Sequence, residues 1–281
     1  MPALYTHYRF GEEVIKALPV CFSDHVDKYP EAFALGTQGP DILFYHHPLK
    51  KNEIRSYGTH LHDIAAEDFY LDMAALLLEN ATGESAEEVL SKNGAFAAYI
   101  CGFLCHFTLD VSCHKYIDDN SVEKPSHGKI ESEFDKFLLR KDGKKLRGYN
   151  TATPIKAENG TVEACAKALN VPQENIALSI KSMKKINGWF SKKSECFHFF
   201  MHLLLRIVGM ERKFGDMFIH KKDDPLCQKT NDVLFGKFEA AIPMGAALIE
   251  EYFSSLPTLL KTRKLNEIFR YNYCGIKITE D

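Results

Sequence analysis

Histidine and acidic residues are concentrated in the first half of the chain, and these are the side chains that most often bind metal ions in proteins. Nine of the twelve histidines lie at or before residue 127. Imidazole nitrogens and carboxylate oxygens are both natural zinc ligands. The spacing of these residues therefore decides whether they can meet around an ion.

The clearest pattern is the run His106, Asp110 and His114, in which each residue follows the last by four positions. On a helix each such step turns by only about 40°, so all three side chains lie within one sector of about 80°. Phe103 and Ile117 project beside the same sector. A carboxylate buried there without a partner would cost several kcal/mol, a cost that a bound metal ion removes. The pattern predicts a metal-binding face, and the apolar neighbours disfavour the alternative of an exposed polar stripe.

His127 and Glu131 repeat the four-residue spacing, and they share a helix face with Phe134 and Leu138. Surface pairs of His and Glu have the same spacing, so the pair alone is weak evidence for a metal site. The neighbouring apolar residues favour an inward orientation. The pair is therefore expected to join the first cluster.

His60 and His62 can be distinguished by the same geometry. On one continuous helix, His62 lines up with the apolar residues Phe69 and Met73, whereas His60 lies about 160° away around the helix axis. His62 is the predicted ligand. His60 is expected at the surface or in contact with a ligand from outside.

Eight residues form the full set of candidate metal ligands: His7, Asp41, His62, His106, Asp110, His114, His127 and Glu131. His7 and Asp41 come from less regular positions, and for either one alone a structural role is the better interpretation. One zinc takes three or four protein ligands, so eight candidates suit two or three ions. Asp110 is the expected bridge between ions.

Five short motifs occur in an order that resembles the zinc-dependent phospholipase C family. They are Thr6-His7, Gly39-Pro40-Asp41, Gly58 through His62, His106 through Asp110, and His127 through Glu131. The resemblance covers roughly residues 5–140. It implies an all-helical enzyme with three zinc ions, on an architecture that zinc-dependent single-strand nucleases share.

The resemblance also implies how the ligands divide among the ions. A first zinc would be held by Asp41, His62, His106 and Asp110, a second by His114, His127 and Glu131, and a third by His7 and Asp110 with the N-terminal amine and carbonyl. Secreted members begin with a tryptophan that binds the third zinc, whereas this chain begins Met1-Pro2 and has its one tryptophan at residue 189. Three residues separate Asp110 from His114, where the secreted enzymes have five.

These observations lead us to expect a metal-dependent phosphoester hydrolase with Zn²⁺ as its cofactor, acting on a small phosphoester or a phospholipid. A zinc-bound hydroxide would attack phosphorus, and Asp41 or Glu131 would orient or deprotonate it as the catalytic residues. Two alternatives stay open. One is a nuclease or nucleotidase on the same scaffold, and the other is a non-catalytic metal-binding protein.

Apolar residues recur with a helical period over most of the chain and rarely alternate, so we expect an all-α fold in a single domain over residues 1–281. The ten predicted helices lie near 11–19, 61–80, 84–92, 94–117, 127–141, 161–169, 173–187, 193–213, 230–254 and 262–270. Residues 30–58, which are rich in Pro and Gly, are predicted to be mostly loop. Ser85 and Glu88 are the predicted capping box of the third helix.

Composition narrows the possible partners and surroundings. The formal net charge of −3 disfavours the broad positive field that nucleic-acid binding needs, so no specific nucleic-acid partner is expected. The start of the chain lacks a signal-peptide pattern, and no uninterrupted apolar run reaches about 18 residues, which together predict a cytoplasmic protein without a transmembrane segment. Peripheral membrane contact and oligomeric state stay open. The eight scattered cysteines include no CxxC pair and are expected to be reduced.

Overall fold

The computed structural model describes residues 4–158 and 160–279, and most of them are helical. The α-helices are α1 Leu4–Ala17, α2 Val20–Lys28, α3 Pro30–Gly36, α4 Glu53–Asp63, α5 Glu67–Leu78, α6 Ala86–Asp119, α7 His127–Lys141, α8 Thr161–Leu169, α9 Gln173–Phe190, α10 Glu195–Ile207, α11 Glu211–Phe214 and α12 Gln228–Thr262. Four 3₁₀ helices cover Gly39–Tyr45, Gly215–Met217, Pro225–Cys227 and Glu267–Arg270. Within the described ranges the only β pairing is an isolated bridge between Tyr271 and Lys277. The predicted all-α fold is confirmed.

Helix α6 is the axis around which the other helices pack. Every residue from Phe96 to Asp110 is buried, because α1, α2, α3, α8 and α12 surround this helix. Among the described helices, α6 alone is long and apolar enough to cross a membrane by composition. Its apolar window is 89% buried inside the protein, as expected of a core helix.

The backbones of α3 and α6 touch at two glycines. A Cβ atom on Gly102 would lie 2.2 Å from the carbonyl oxygen of Phe33, and one on Gly36 would lie 2.1 Å from that of Tyr99. No side chain fits at either position. This contact fixes the position of α6 along α3. Because Gly102 lies one turn before His106, it also fixes the position of the candidate metal-binding face.

The prediction that residues 30–58 are mostly loop was wrong. The segment holds α3, the 3₁₀ helix Gly39–Tyr45 and the start of α4. Pro30 and Pro40 lie in the first turns of these helices, where the backbone N–H that proline lacks would have no helical partner. The prolines therefore mark helix starts in this segment.

The predicted helix 61–80 is two helices, since α4 ends at Asp63 and α5 begins at Glu67. The backbone N–H of Ala66 donates to the carbonyl of Tyr271, 3.2 Å away. This long-range contact lies where the chain changes direction. The break shows that the alignment of His62 with α5 residues, from which its inward orientation was predicted, was wrong.

Other boundaries also differ from the predictions. The helices predicted at 84–92 and 94–117 form one element, α6, which is kinked at Gly94 with φ 49° and ψ −125°. The region predicted as helix 262–270 contains only the 3₁₀ helix Glu267–Arg270, and α2 was not predicted. The helix predicted at 127–141 is confirmed in full.

The predicted capping box is half formed. The Ser85 hydroxyl accepts the backbone N–H of Glu88 at 3.2 Å. The Glu88 carboxylate instead accepts the N–H groups of Thr82 and Gly83, each at 2.9 Å. The glutamate therefore ties the preceding turn to the helix start.

The described core divides into two hydrophobic clusters. The larger surrounds α6, and the smaller consists of Phe190, Leu205, Phe214 and Phe218 beneath α10. None of the eight cysteines forms a disulfide, and five of them are buried, in agreement with the expected reduced state. The single-domain organisation stays a prediction.

The contact between α3 and α6 predicts a strong effect of Gly102→Ala. The new methyl group would overlap the carbonyl of Phe33, so the free energy of unfolding should fall by about 2 kcal/mol or more. Gly236→Ala is the matched control, since nothing lies within 4 Å of a Cβ there and alanine favours the helix by about 0.5–1 kcal/mol. Urea denaturation of the two variants measures the difference. Equal stability of both variants would show that the backbones are not in contact.

Candidate metal centre

Five helical elements bring the eight predicted ligands to one region. Helix α1 carries His7, the 3₁₀ helix Gly39–Tyr45 carries Asp41, and α4 carries His62 in its last turn. Helix α6 supplies His106, Asp110 and His114, and α7 supplies His127 and Glu131. All eight residues fall into three groups in which the candidate ligand atoms lie within 4.8 Å of one another.

The first group contains Asp41, His62 and His106. Nε2 of His62 lies 3.0 Å from one carboxylate oxygen of Asp41, and Nε2 of His106 lies 3.8 Å from the other. Ligand atoms around one tetrahedral zinc are separated by about 3.4 Å, given metal–ligand distances near 2.1 Å. The separations therefore suit a shared ion.

Asp110 lies at the middle of the whole arrangement. One of its oxygens is 3.3 Å from Nε2 of His7 and 3.5 Å from Nε2 of His114, while the other is 3.0 Å from Nε2 of His106. The imidazole rings of His7 and His106 stack with their centroids 4.2 Å apart. These contacts place Asp110 between His7, His106 and His114, and its role as a bridge between ions stays a prediction.

The third group contains His114, His127 and Glu131. One oxygen of Glu131 lies 3.1 Å from Nε2 of His127 and 3.5 Å from Nε2 of His114. Glu131 is buried, as predicted, whereas the side chain of His127 is 36% exposed. The expectation that both members of this pair point inward was thus right for Glu131 alone, because His127 occupies the first position of α7, where the helix meets solvent.

Several buried polar atoms of these groups have no hydrogen-bond partner within the described chain. They are Nε2 of His106, Oδ2 of Asp41, Oδ2 of Asp110 and Oε2 of Glu131. Leaving such atoms unsatisfied costs about 1–3 kcal/mol each, and more for charged groups. Cations bound in the separate groups would satisfy these atoms, so the donor set fits zinc.

A small cavity lies between the group of His7, His106 and Asp110 and the third group. Its volume is about 20 Å³, counted as the space open to the centre of a water-sized sphere, and it is lined by His7, Asp110, His114 and Glu131 among others. One water molecule needs about 10–15 Å³ by this measure. The space therefore matches one or two small species.

Backbone carbonyl groups fix the orientation of three imidazoles from outside. Nδ1 of His106 donates to Thr37 at 3.1 Å, and Nδ1 of His62 donates to Gly58 at 2.6 Å. Nδ1 of His114 donates to the carbonyl of Tyr273 at 2.9 Å. Since a carbonyl only accepts, Nδ1 carries the proton in each ring and Nε2 is left to bind a metal.

Two carboxylates complete this outer support, and the sequence analysis missed both. Asp118 accepts from Nδ1 of His127 at 2.7 Å. Asp135 accepts the backbone N–H and the hydroxyl of Thr6 at 2.8 and 2.7 Å, which holds the start of α1 and thereby His7. Asp135 follows Glu131 by four residues, a periodicity that could have indicated it.

The electrostatics of the groups follow from mutual proximity. Burial raises the pKa of Asp41 and of Asp110, but the neighbouring histidines outweigh burial and lower both pKa values overall. Burial likewise lowers the pKa of His114, but the charge of Asp110 and the contact with Glu131 raise it to about 10. His106 differs, because burial dominates and lowers its pKa. In the metal-free protein, a proton on His114 thus takes the place of a cation. Burial lowers the pKa of His62 as well, but its contact with Asp41 outweighs burial and raises that pKa overall.

His60 and the two histidines of α10 do not belong to the three groups. His60 is exposed, as predicted, although it lies on α4 alone. The N-terminal amine and carbonyl implied as ligands of a third zinc belong to Met1, which lies outside the described residues. His198 is buried and accepts from the guanidinium of Arg147, and His202 pairs with Glu211, so each has a structural partner.

A family model described as zinc-dependent phospholipase C matches residues 6–183, which is more than half of the chain. This chain belongs to the zinc-dependent phospholipase C family. The matched span contains all eight candidate ligands, together with Asp118 and Asp135. Neither the curated proteins nor the solved structures include a match to this chain. Membership in this family supports a hydrolase with a zinc cofactor and a lipid substrate class.

The geometry predicts that His62 and His60 differ in their effect on bound zinc. His62→Ala should lower the zinc content by about one ion per chain or weaken its binding by at least about tenfold, because it removes a nitrogen 3.0 Å from Asp41. His60→Ala should leave the content unchanged, since that side chain is exposed. Inductively coupled plasma mass spectrometry after dialysis measures both variants. Equal zinc contents in the two would refute the first group.

The raised pKa of His114 predicts how the stability of the chelator-treated protein depends on pH. A histidine whose pKa is about 10 when folded and 6.5 when unfolded stabilises the folded state fully below pH 6.5, and this contribution is lost as the pH rises to 10. Stability should fall over that window by about 1 kcal/mol or more. The slope should be smaller in His114→Gln, and smaller again in zinc-loaded wild type, where the ion replaces the proton. A flat profile for the metal-free wild type would contradict the charge pairing.

Proposed function

We propose that this protein hydrolyses a phosphoester bond of the phospholipid type, with zinc ions bound among the three ligand groups. The observation that carries the proposal is a set of buried ligand atoms without a hydrogen-bond partner among the described residues, in a member of a zinc-dependent family. These atoms belong to His106, Asp41, Asp110 and Glu131. Burying several carboxylates in an apolar core costs free energy unless cations neutralise their charge.

The residues of each group would hold the ions as the distances suggest. Asp41, His62 and His106 would form one site and His114, His127 and Glu131 another, with His7 and Asp110 completing a third. Bound zinc would supply two effects, a lower pKa of water at the centre and neutralisation of charge on the phosphoryl oxygens.

The carboxylates of the chain would orient the attacking water. Asp41 and Glu131 each keep one buried oxygen that accepts no hydrogen bond from the described residues. Nearby histidines lower the pKa of both carboxyl groups, so both are ionised at neutral pH and accept hydrogen bonds. A strongly acidic carboxyl is a weak base, which favours orientation of the water over its deprotonation as the role of these two residues.

Substrate would approach from the side of His127. The side chains of His106 and Asp110 are 0% and 2% exposed, whereas that of His127 is 36% exposed. The half-exposed ring marks the edge at which the centre meets solvent. A phosphoryl group arriving there would first meet His127 and Glu131.

The central experiment compares wild type with His106→Ala on a phosphatidylcholine substrate and on single-stranded DNA. Loss of His106 removes a ligand from two groups, so zinc content should fall and kcat/KM should drop on the order of 100-fold or more. His60→Ala is the matched control and should retain full turnover. Equal zinc content and equal turnover of wild type and His106→Ala would overturn the proposal, and turnover of DNA alone would assign the centre to a nuclease.

A further inference from the structure

Helix α10 has an outer surface that is unusually apolar for a protein exterior. Five large apolar residues of α10 and the residue that follows it are 45–75% exposed: Phe199, Phe200, Leu203, Leu204, Ile207 and Val208, here called the α10 patch. The other ten exposed large apolar residues of the described chain are scattered from Val20 to Ile278. Scattered residues need no explanation, but a contiguous patch does.

Both faces of α10 are apolar. His198 and Leu205 are buried on the inner face, where they adjoin the smaller hydrophobic cluster. At 100° per residue, Phe200, Leu203 and Ile207 lie about 140–200° around the axis from His198, on the opposite face. A helix that is apolar on every side is normally buried, so its outer face is the one part of this helix that lacks a cover.

The chain around the patch is rich in basic residues. Between residues 184 and 208 the sequence contains five lysines and arginines and a single acidic residue, Glu195. Glu195 is paired with Arg147, and Arg206 lies 3.7 Å from Glu211, so the four lysines supply the positive charge. The ammonium group of Lys192 lies 4.2 Å from the centre of the Phe197 ring, and that of Lys185 lies 5.0 Å from Trp189. Aromatic and apolar side chains bordered by lysine are typical of helices that lie at a membrane surface.

Packing and hydrogen bonds connect the support of the patch to the metal centre. The 3₁₀ helix Gly215–Met217 packs beside the cluster under α10, and its Asp216 accepts from Ser126 at 2.5 Å and, through its carbonyl, from Ser132 at 2.8 Å. Ser126 immediately precedes His127, and Ser132 immediately follows Glu131. The support of the patch and the exposed edge of the centre therefore share α7.

We propose that the α10 patch is a membrane-docking surface, with its apolar side chains entering a bilayer that carries acidic headgroups. The inference rests on the proposed function in one respect, namely that the substrate is a lipid. Charge complementarity selects this occupant over a second copy of the chain, because a symmetric dimer through the patch would bring two cationic borders together.

Sedimentation with vesicles of phosphatidylcholine and phosphatidylserine tests the proposal. The double variant Phe200→Ser/Ile207→Ser should bind these vesicles on the order of tenfold or more weakly than wild type, because it removes two large apolar groups from the patch. The control Val20→Ser/Leu260→Ser removes exposed apolar side chains elsewhere and should bind like wild type. Lys192→Gln/Lys193→Gln should weaken binding to vesicles with phosphatidylserine more than to those without it.

Hydrolysis of a water-soluble, short-chain phosphodiester separates docking from catalysis. The α10 variant should keep its turnover of this substrate while losing turnover of vesicle lipid. Vesicle binding by wild type with no hydrolysis of any phosphodiester would support the docking surface and refute the proposed function. Equal vesicle binding by wild type and variant would overturn the docking proposal. So would a change from dimer to monomer in the variant, measured by analytical ultracentrifugation, with vesicle binding unaltered.

Discussion

Buried negative charge is the constraint on which the rest of this structure depends. Asp41, Asp110 and Glu131 all lie within the helical core, and the imidazoles around them are too few in donors to satisfy every carboxylate oxygen. If the histidines were neutral, the three carboxylates would leave a charge of about −3 in the protein interior, where unpaired charge is strongly destabilising. Two divalent cations already exceed that charge, so a loaded centre would be net positive and suited to an anionic phosphoester. Burial thus makes the ligand set both costly without metal and attractive to substrate with it.

Candidate ligand atoms can stay within a few ångströms of one another only if rigid elements carry them, and α6 is the main such element. Its backbone contacts α3 at Gly102, and one turn later the imidazole of His106 donates to the carbonyl of Thr37, just beyond the end of α3. Because one helix carries three of the eight ligands at four-residue intervals, a shift of α6 would displace all three groups together. Packing between α3 and α6 is therefore as important to the centre as the ligands themselves.

The sequence predicted which side chains cluster better than it predicted the groups that support them, and the reason is physical. His106, Asp110 and His114 show a local period that side-chain identity reveals, and Glu131 repeats it. Backbone carbonyls that orient the rings, such as that of Tyr273, belong to every residue and leave no mark in the sequence. The same limit applies to the fold, where α6 and α7 were recognisable from apolar periodicity, whereas the end of α4 coincides with a contact to Tyr271, more than 200 residues away.

The part of the chain beyond the family match at 6–183 is integrated with the metal centre. The carbonyl of Tyr273 orients His114, and its ring lies 5.2 Å from that of His62 and 5.8 Å from that of His106. A Cβ on Gly275, where φ is +70°, would lie 2.8 Å from the carbonyl of Val111, so this C-terminal turn is pressed against α6. The turn closes one side of the centre, while α10 presents its apolar surface beside the support of α7. The matched region thus supplies the candidate ligands, and the remainder of the chain encloses them. Both are needed, because a metal centre requires surroundings that exclude water and hold the ligands in place.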